Sequence, residues 1–129
     1  KHIKTKDEFI KKGDYSRSSA RKAMSLLMES KKIPTAVFTA SDDMAEEVIS
    51  VILEHKLKVP DDISVIGFDD NPICLYGPVA LTTVRQPLIE MAAQATSLLH
   101  KMTLSKTTKI STKISLPTEL IIRDSCRQL

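Results

Sequence analysis

Two short apolar runs, Thr35 to Ala40 and Ile63 to Phe68, stand one helix-length apart, and this spacing constrains the chain more than any other feature. Both are nearly continuous in apolar residues and rich in β-branched or aromatic side chains, the pattern of strands buried on both faces. Between them, Asp43 followed three residues on by Glu46 has the spacing of a capping box. Ala45, Val48, Ile49, Ile52 and Leu53 then fall on one side of a helix that ends near His55 and Lys56. Strand, helix, strand at this spacing is a βαβ unit, which closes right-handed with parallel strands.

The flanking sequence extends this unit. Ala20, Ala23, Met24, Leu27 and Met28 make one stripe of a helix between Ser16 and Ser30. Val59-Pro60-Asp61-Asp62 supplies a turn, Asp69 to Val79 a loop, and Leu81 to Val84 a third short strand. Pro87 suits the first turn of a further helix, where its missing N–H is no loss. The stripe of that helix is Leu88, Met91, Ala92, Ala95, Leu98, Leu99 and Met102. Thr103 to Thr112 reads as a polar loop, and Ile114, Leu116, Leu120 and Ile122 as a closing strand interrupted at Pro117. Glu8 to Lys12 reads as an edge strand before a Gly13-Asp14 turn.

Composition narrows the function. A chain of 129 residues, 42% hydrophobic and 27% charged, fits one globular domain, and no apolar run approaches the roughly 20 residues needed to cross a bilayer. Its 19 basic and 16 acidic residues are interleaved, so the net charge of +3 leaves no basic patch for nucleic acid. Cys74 and Cys126 make neither a disulfide framework nor a metal motif, which points to a reducing, cytoplasmic setting. His2, His55 and His100 have no ligand spacing, so neither a metal nor another cofactor is expected. The opening Lys1-His2-Ile3-Lys4, without a Met, reads as the start of a piece of a longer chain.

In an open parallel sheet, ligands bind beyond the carboxyl ends of the strands. Here those ends run into Ser41-Asp42-Asp43, Asp69-Asp70-Asn71 and Arg85-Gln86, a polar rim suited to a small ligand with several hydroxyls. Tyr15, in a Gly-Asp-Tyr-Ser turn, would add an aromatic face. Each residue has a plainer role open to it. Asp42 and Asp43 can cap the helix, Asp69 and Asp70 can bind their own loop backbone, and Tyr15 can be an ordinary surface residue.

The stretch Val59-Pro60-Asp61-Asp62-Ile63-Ser64-Val65-Ile66-Gly67-Phe68-Asp69-Asp70, followed by Leu81-Thr82-Thr83-Val84-Arg85-Gln86-Pro87, resembles the signature of the LacI/GalR transcriptional repressors. Pro34 to Phe38 running into Ser41-Asp42-Asp43-Met44-Ala45, and Leu116-Pro117-Thr118-Glu119-Leu120, are similar to neighbouring segments of the same family. The resemblance implies a three-layer α/β fold: a parallel sheet with helices on both faces, as in the C-terminal lobe of periplasmic-binding-protein-like cores. On that basis residues 1–84 form the lobe, 85–118 a crossover and helix returning to the other lobe, and 119–129 a closing segment.

It further implies a sugar or related metabolite as effector, contacted by Tyr15, Ser41, Asp69, Gln86 and Leu88, with Arg85, Gln86 and Pro87 as the crossover hinge. Asp42 and Asp43 are then helix caps, and the Ser at 41 departs from the family's commoner Asn. No catalysis is implied. The partners would be a second copy of the chain and operator DNA, the latter only through a separate N-terminal domain. A periplasmic sugar-binding protein would share the lobes, and a phosphoryl-accepting receiver domain would gather Asp42, Asp43 and Asp69 in a similar way, with Thr83 downstream.

Overall fold

The computed structural model describes residues 6–105 and 113–127, and in it helix and strand alternate along the chain. Helix α1 (Arg17–Met28) precedes strand β1 (Ala36–Phe38), and α2 (Asp42–Glu54) precedes β2 (Ser64–Asp69). Then come β3 (Thr82–Arg85), α3 (Leu88–Ser105) and β4 (Glu119–Ile121). The expected loop from Thr103 begins instead inside α3, and its residues 106–112 lie outside the described ones, as do 1–5 with His2, and 128–129.

The strands lie in the order β1-β2-β3-β4. β1, β2 and β3 are parallel, while β4 is antiparallel to β3 and pairs Glu119 with Arg85 and Ile121 with Thr83. The α/β class therefore stands, but the sheet is mixed rather than wholly parallel. The chain leaves β3 at its carboxyl end, travels out along α3 and comes back to that same end, so β4 must run the opposite way.

Helix α2 is the centre of the molecule. Ser16 caps α1 by accepting from Ser19 N at 3.1 Å, and Ala20, Met24 and Leu27 of that helix pack on α2. On its other side α2 meets Val37 of β1 and Val65 of β2. Fully burying a residue such as Ile49 or Ile52 contributes about 1.5–3 kcal/mol. The opposite face of the sheet carries Phe38 and Phe68, whose rings meet edge to face with centroids 6.4 Å apart. This face is only partly covered, and among the described residues α3 does not pack on it. Helices on both faces are thus not what the described residues form, and β1 is an edge strand with Phe38 63% exposed rather than a buried one.

Two further expectations change. Glu8 to Lys12 does not form an edge strand: Asp7–Phe9 is a single turn of 3₁₀ helix, closed by bonds from Phe9 N to Lys6 O and Ile10 N to Asp7 O. The cap of α2 is neither Asp42 nor Asp43 but Ser41, whose hydroxyl accepts from Met44 N at 3.4 Å. A Ser in extended backbone is as good a cap as Asp, and using it shifts the helix start so that Asp43 and Glu46 no longer form a box.

The end of the chain stitches the sheet together. Ser125 is fully buried where β2 and β3 part: Thr82 N donates to its Oγ at 2.8 Å, and that hydroxyl donates to Val65 O at 2.6 Å.

Candidate functional site

Because β1, β2 and β3 are parallel, their carboxyl ends share one rim of the sheet. Thr39 N donates to Ile66 O at 2.9 Å, carrying the β1–β2 register on toward Ala40 and Ser41, and Asp69 is in register with Arg85. The amino ends of α1 and α2 open at the same rim, since each helix runs back toward the start of the next strand.

Tyr15 sits just before α1 in left-handed backbone, φ 67°, and is 72% exposed. Its turn is held by Asp14, whose carboxylate accepts from the Ser16 hydroxyl at 2.6 Å and from Ser16 N at 3.0 Å. These bonds, with help from Ser19, hold the Asp14 carboxyl down at about 2. The ring of Tyr15 stands at a largely apolar hollow of about 300 Å³ whose walls include Met24, Val37, Thr39, Ala40 and Met44.

Asp69 and Asp70 end β2 in backbone that side chains seldom adopt, with φ of 111° and 57°. Half-buried Asp69 accepts from Gln86 Nε2 at 2.7 Å through Oδ1. Asp70 turns the other way, receiving Arg85 Nε at 2.7 Å on Oδ2 and Arg123 Nη2 at 2.6 Å on Oδ1. Burial raises its carboxyl, but the hydrogen bonds from Arg123 and Arg85 outweigh that, and the net shift is downward. Arg85 also reaches Glu119 Oε2 at 3.4 Å, so the half-buried Asp70 carboxylate, through Arg85 and Arg123, ties β3 to the returning β4 segment where the chain leaves the sheet and comes back.

Gln86, with Pro87, lines a second hollow of about 390 Å³ between the start of α3 and residues 114–118. Leu88 opens α3 and is exposed. The five residues named from the sequence therefore divide. Asp69 and Gln86 touch, Tyr15 faces its own hollow on the same rim, Leu88 stands beyond Gln86, and Ser41 is buried with its hydroxyl turned into the end of α2.

Sequence reasoning missed Arg123, and gave Thr83 a place only in the receiver-domain alternative, whereas both hold this rim from behind. It also misread Asp42, which is fully buried and takes hydrogen bonds from Thr83 and Asn71 instead of from its own helix. The signal available was the Ser directly before Asp42: once a cap is present, a second acidic residue needs another reason to be there.

A family model described as a periplasmic binding protein-like domain matches residues 2–126. The probable HTH-type transcriptional repressor ExuR of Bacillus subtilis is 40% identical over 128 residues, covering 99% of this chain and 38% of that protein. Among solved structures, a putative LacI regulator from Bacillus cereus subsp. cytotoxis superposes with a TM-score of 0.89 at 25% identity, over 97% of this chain and 44% of its own. A LacI family regulator from Lactobacillus casei with bound sucrose superposes at 0.71 and 38% identity, over 87% of this chain and 41% of its own. The chain belongs to the periplasmic binding protein-like domain family, and the proteins it matches are LacI-family regulators, as its motifs led us to expect. It spans about a third of the length of the curated relatives it matches, from 31% to 38%.

Proposed function

We propose that this chain is the effector-sensing part of a LacI-type transcriptional repressor, that it catalyses no reaction, and that it binds a sugar or similar polyhydroxylated metabolite at the rim. The observation that carries the reading is the Asp69–Gln86 pair: a carboxylate and an amide held together at the carboxyl edge of a parallel sheet. Such a pair presents acceptors and donors to vicinal hydroxyls, and Tyr15 offers an aromatic face to the apolar side of a sugar ring. Leu88 adds apolar surface next to Gln86. Ser41, whose hydroxyl already caps α2, contributes at most one further hydrogen bond. Relatives support the ligand class, since one was solved with sucrose and another, CelR, as a cellobiose complex.

In this reading residues 1–84 form one lobe, 85–118 cross to a second lobe, and 119–129 return. Arg85, Gln86 and Pro87 act as the hinge. Effector at Asp69 favours one arrangement of the lobes, and its neighbour Asp70, gripping Arg85, passes that preference to the crossover. The protein works as a homodimer in the cytoplasm and touches operator DNA through a separate DNA-binding domain. A receiver-domain role finds no support, because Asp42, one of the acidic pair it would need, is fully buried with its carboxylate taken up by Thr83 and Asn71 N.

Calorimetric titration of the intact protein with glucose, sucrose and cellobiose tests this. Asp69→Ala should weaken binding at least about tenfold, the usual scale for a lost hydrogen bond to a charged group, and leave a folded dimer. Equal affinity in the two proteins would overturn the reading.

A further inference from the structure

The strained turn that carries Asp69 needs something to hold it. Non-glycine residues at φ of 111° and 57° are disfavoured and persist only where their surroundings over-determine them. The neighbour that does so is Asp42, at the start of α2 and fully buried. Its Oδ1 accepts from the Thr83 hydroxyl at 2.6 Å, and its Oδ2 accepts from Asn71 N at 2.7 Å. Thr83 Oγ1 accepts in turn from Asp70 N at 3.4 Å. One carboxylate thus holds the two amides that follow Asp69, one directly and one through Thr83. The room for it is made by Gly67, where any side chain would collide with Asp42 Oδ1.

We infer that Asp42 is a positioning residue: through Thr83 and Asn71 it fixes the turn at residues 69–71 and so aims the Asp69 carboxylate at the ligand. This rests on the effector reading above for its consequence, but not for the contact itself. Ser41 already caps α2, so the Asp42 carboxylate is not needed for the helix end. Its bonds run across the fold to β3 and to the loop after β2. Thr83 is part of the same device, because its hydroxyl is both donor to Asp42 and acceptor from Asp70.

Two measurements test the inference together. The first is backbone amide exchange, read by NMR on the chain, for Asp42→Asn, Thr83→Val and Thr83→Ser. Exchange at Asn71 in Asp42→Asn, and at Asp70 in Thr83→Val, should speed up about tenfold with the α2 amides unchanged, and Thr83→Ser should restore the slow rate. Acceleration spread equally over α2, or none at residues 70–71, overturns the inference. Thr83→Val keeps the shape of threonine and decides the matter if Asp42→Asn fails to fold.

The second measurement is sugar affinity in the intact protein for Thr83→Val, Asp69→Ala and the double variant, titrated with glucose, sucrose and cellobiose. If Thr83 acts through Asp69, its effect vanishes in the Asp69→Ala background, whereas a merely structural role would add to it. An Asp69→Ala effect without a Thr83→Val effect overturns the positioning role and leaves the effector reading standing. If neither the wild type nor any variant binds these sugars, the effector reading fails, and amide exchange still decides whether Asp42 holds the turn.

Discussion

Nine of the 13 residues of α2 are buried, whereas none of the described side chains of α3 is, although both helices carry an apolar stripe of similar make-up. The difference lies in what surrounds them. Helix α2 is enclosed by α1, by β2 and by the short 3₁₀ turn Pro72–Leu75, so even its charged residues are drawn in. Glu47 there pairs with Arg17 and Arg21 of α1, while Asp42 faces Thr83. Among the described residues, helix α3 has residues 114–118 beside it, across the second hollow. An amphipathic pattern declares that a helix will be buried somewhere; it does not say that the chain itself supplies the cover.

The comparison breaks most visibly at Ile49. This side chain is wholly inaccessible at the centre of α2, and Ile49→Ala should destabilise the chain by about 2–5 kcal/mol in chemical denaturation. A loss under about 1 kcal/mol would mean that the α2 core collapses around a cavity without difficulty and is less closely packed than its burial implies.

A smaller effect, of opposite sign, is expected at Glu46. Its Oε1 is buried without a hydrogen-bond partner and lies under Gly77, where an added Cβ would come within 2.5 Å of it. Burial pushes the Glu46 carboxyl above its ordinary value; the Arg17 charge lowers it in part, while Asp42 and Asp43 raise it further. A carboxyl raised in the folded state favours folding at low pH, and that contribution is lost as pH rises through the raised value. Glu46→Gln should therefore melt higher than the wild type at pH 7 and converge with it toward pH 4. A lower melting temperature for the variant at pH 7 would show that the Glu46 charge is compensated.

These contrasts also mark what could be read in the sequence. The stripes of α1, α2 and α3 and the strands β1 to β3 lie within a residue or two of where periodicity puts them, because helical and strand periods are local. A turn at Gly13-Asp14-Tyr15-Ser16 was legible for the same reason, but not the left-handed backbone that Tyr15 takes within it. What was misread depends on distant partners. Asp42 bonds to Thr83 across 41 residues and Asp70 to Arg123 across 53, and Ser125 reaches Val65 across 60. Capping rules see only the next three residues, so they assigned Asp42 to the helix it opens rather than to the loop it holds. The antiparallel β4 was hidden likewise, since its direction is set by where the chain re-enters the sheet.

The smallest effect on stability belongs to α3, and it sharpens the comparison most. Leu99 is 65% exposed there, and in this chain Leu99→Ser should change the unfolding free energy by no more than about 0.5 kcal/mol, as for an ordinary surface site. The same substitution should reduce self-association in light scattering, because Leu88, Met91 and Leu99 together leave an exposed apolar stripe that a second copy can cover. A loss of about 2 kcal/mol or more would mean that Leu99 is buried in solution, and so that α3, like α2, is held by a partner surface.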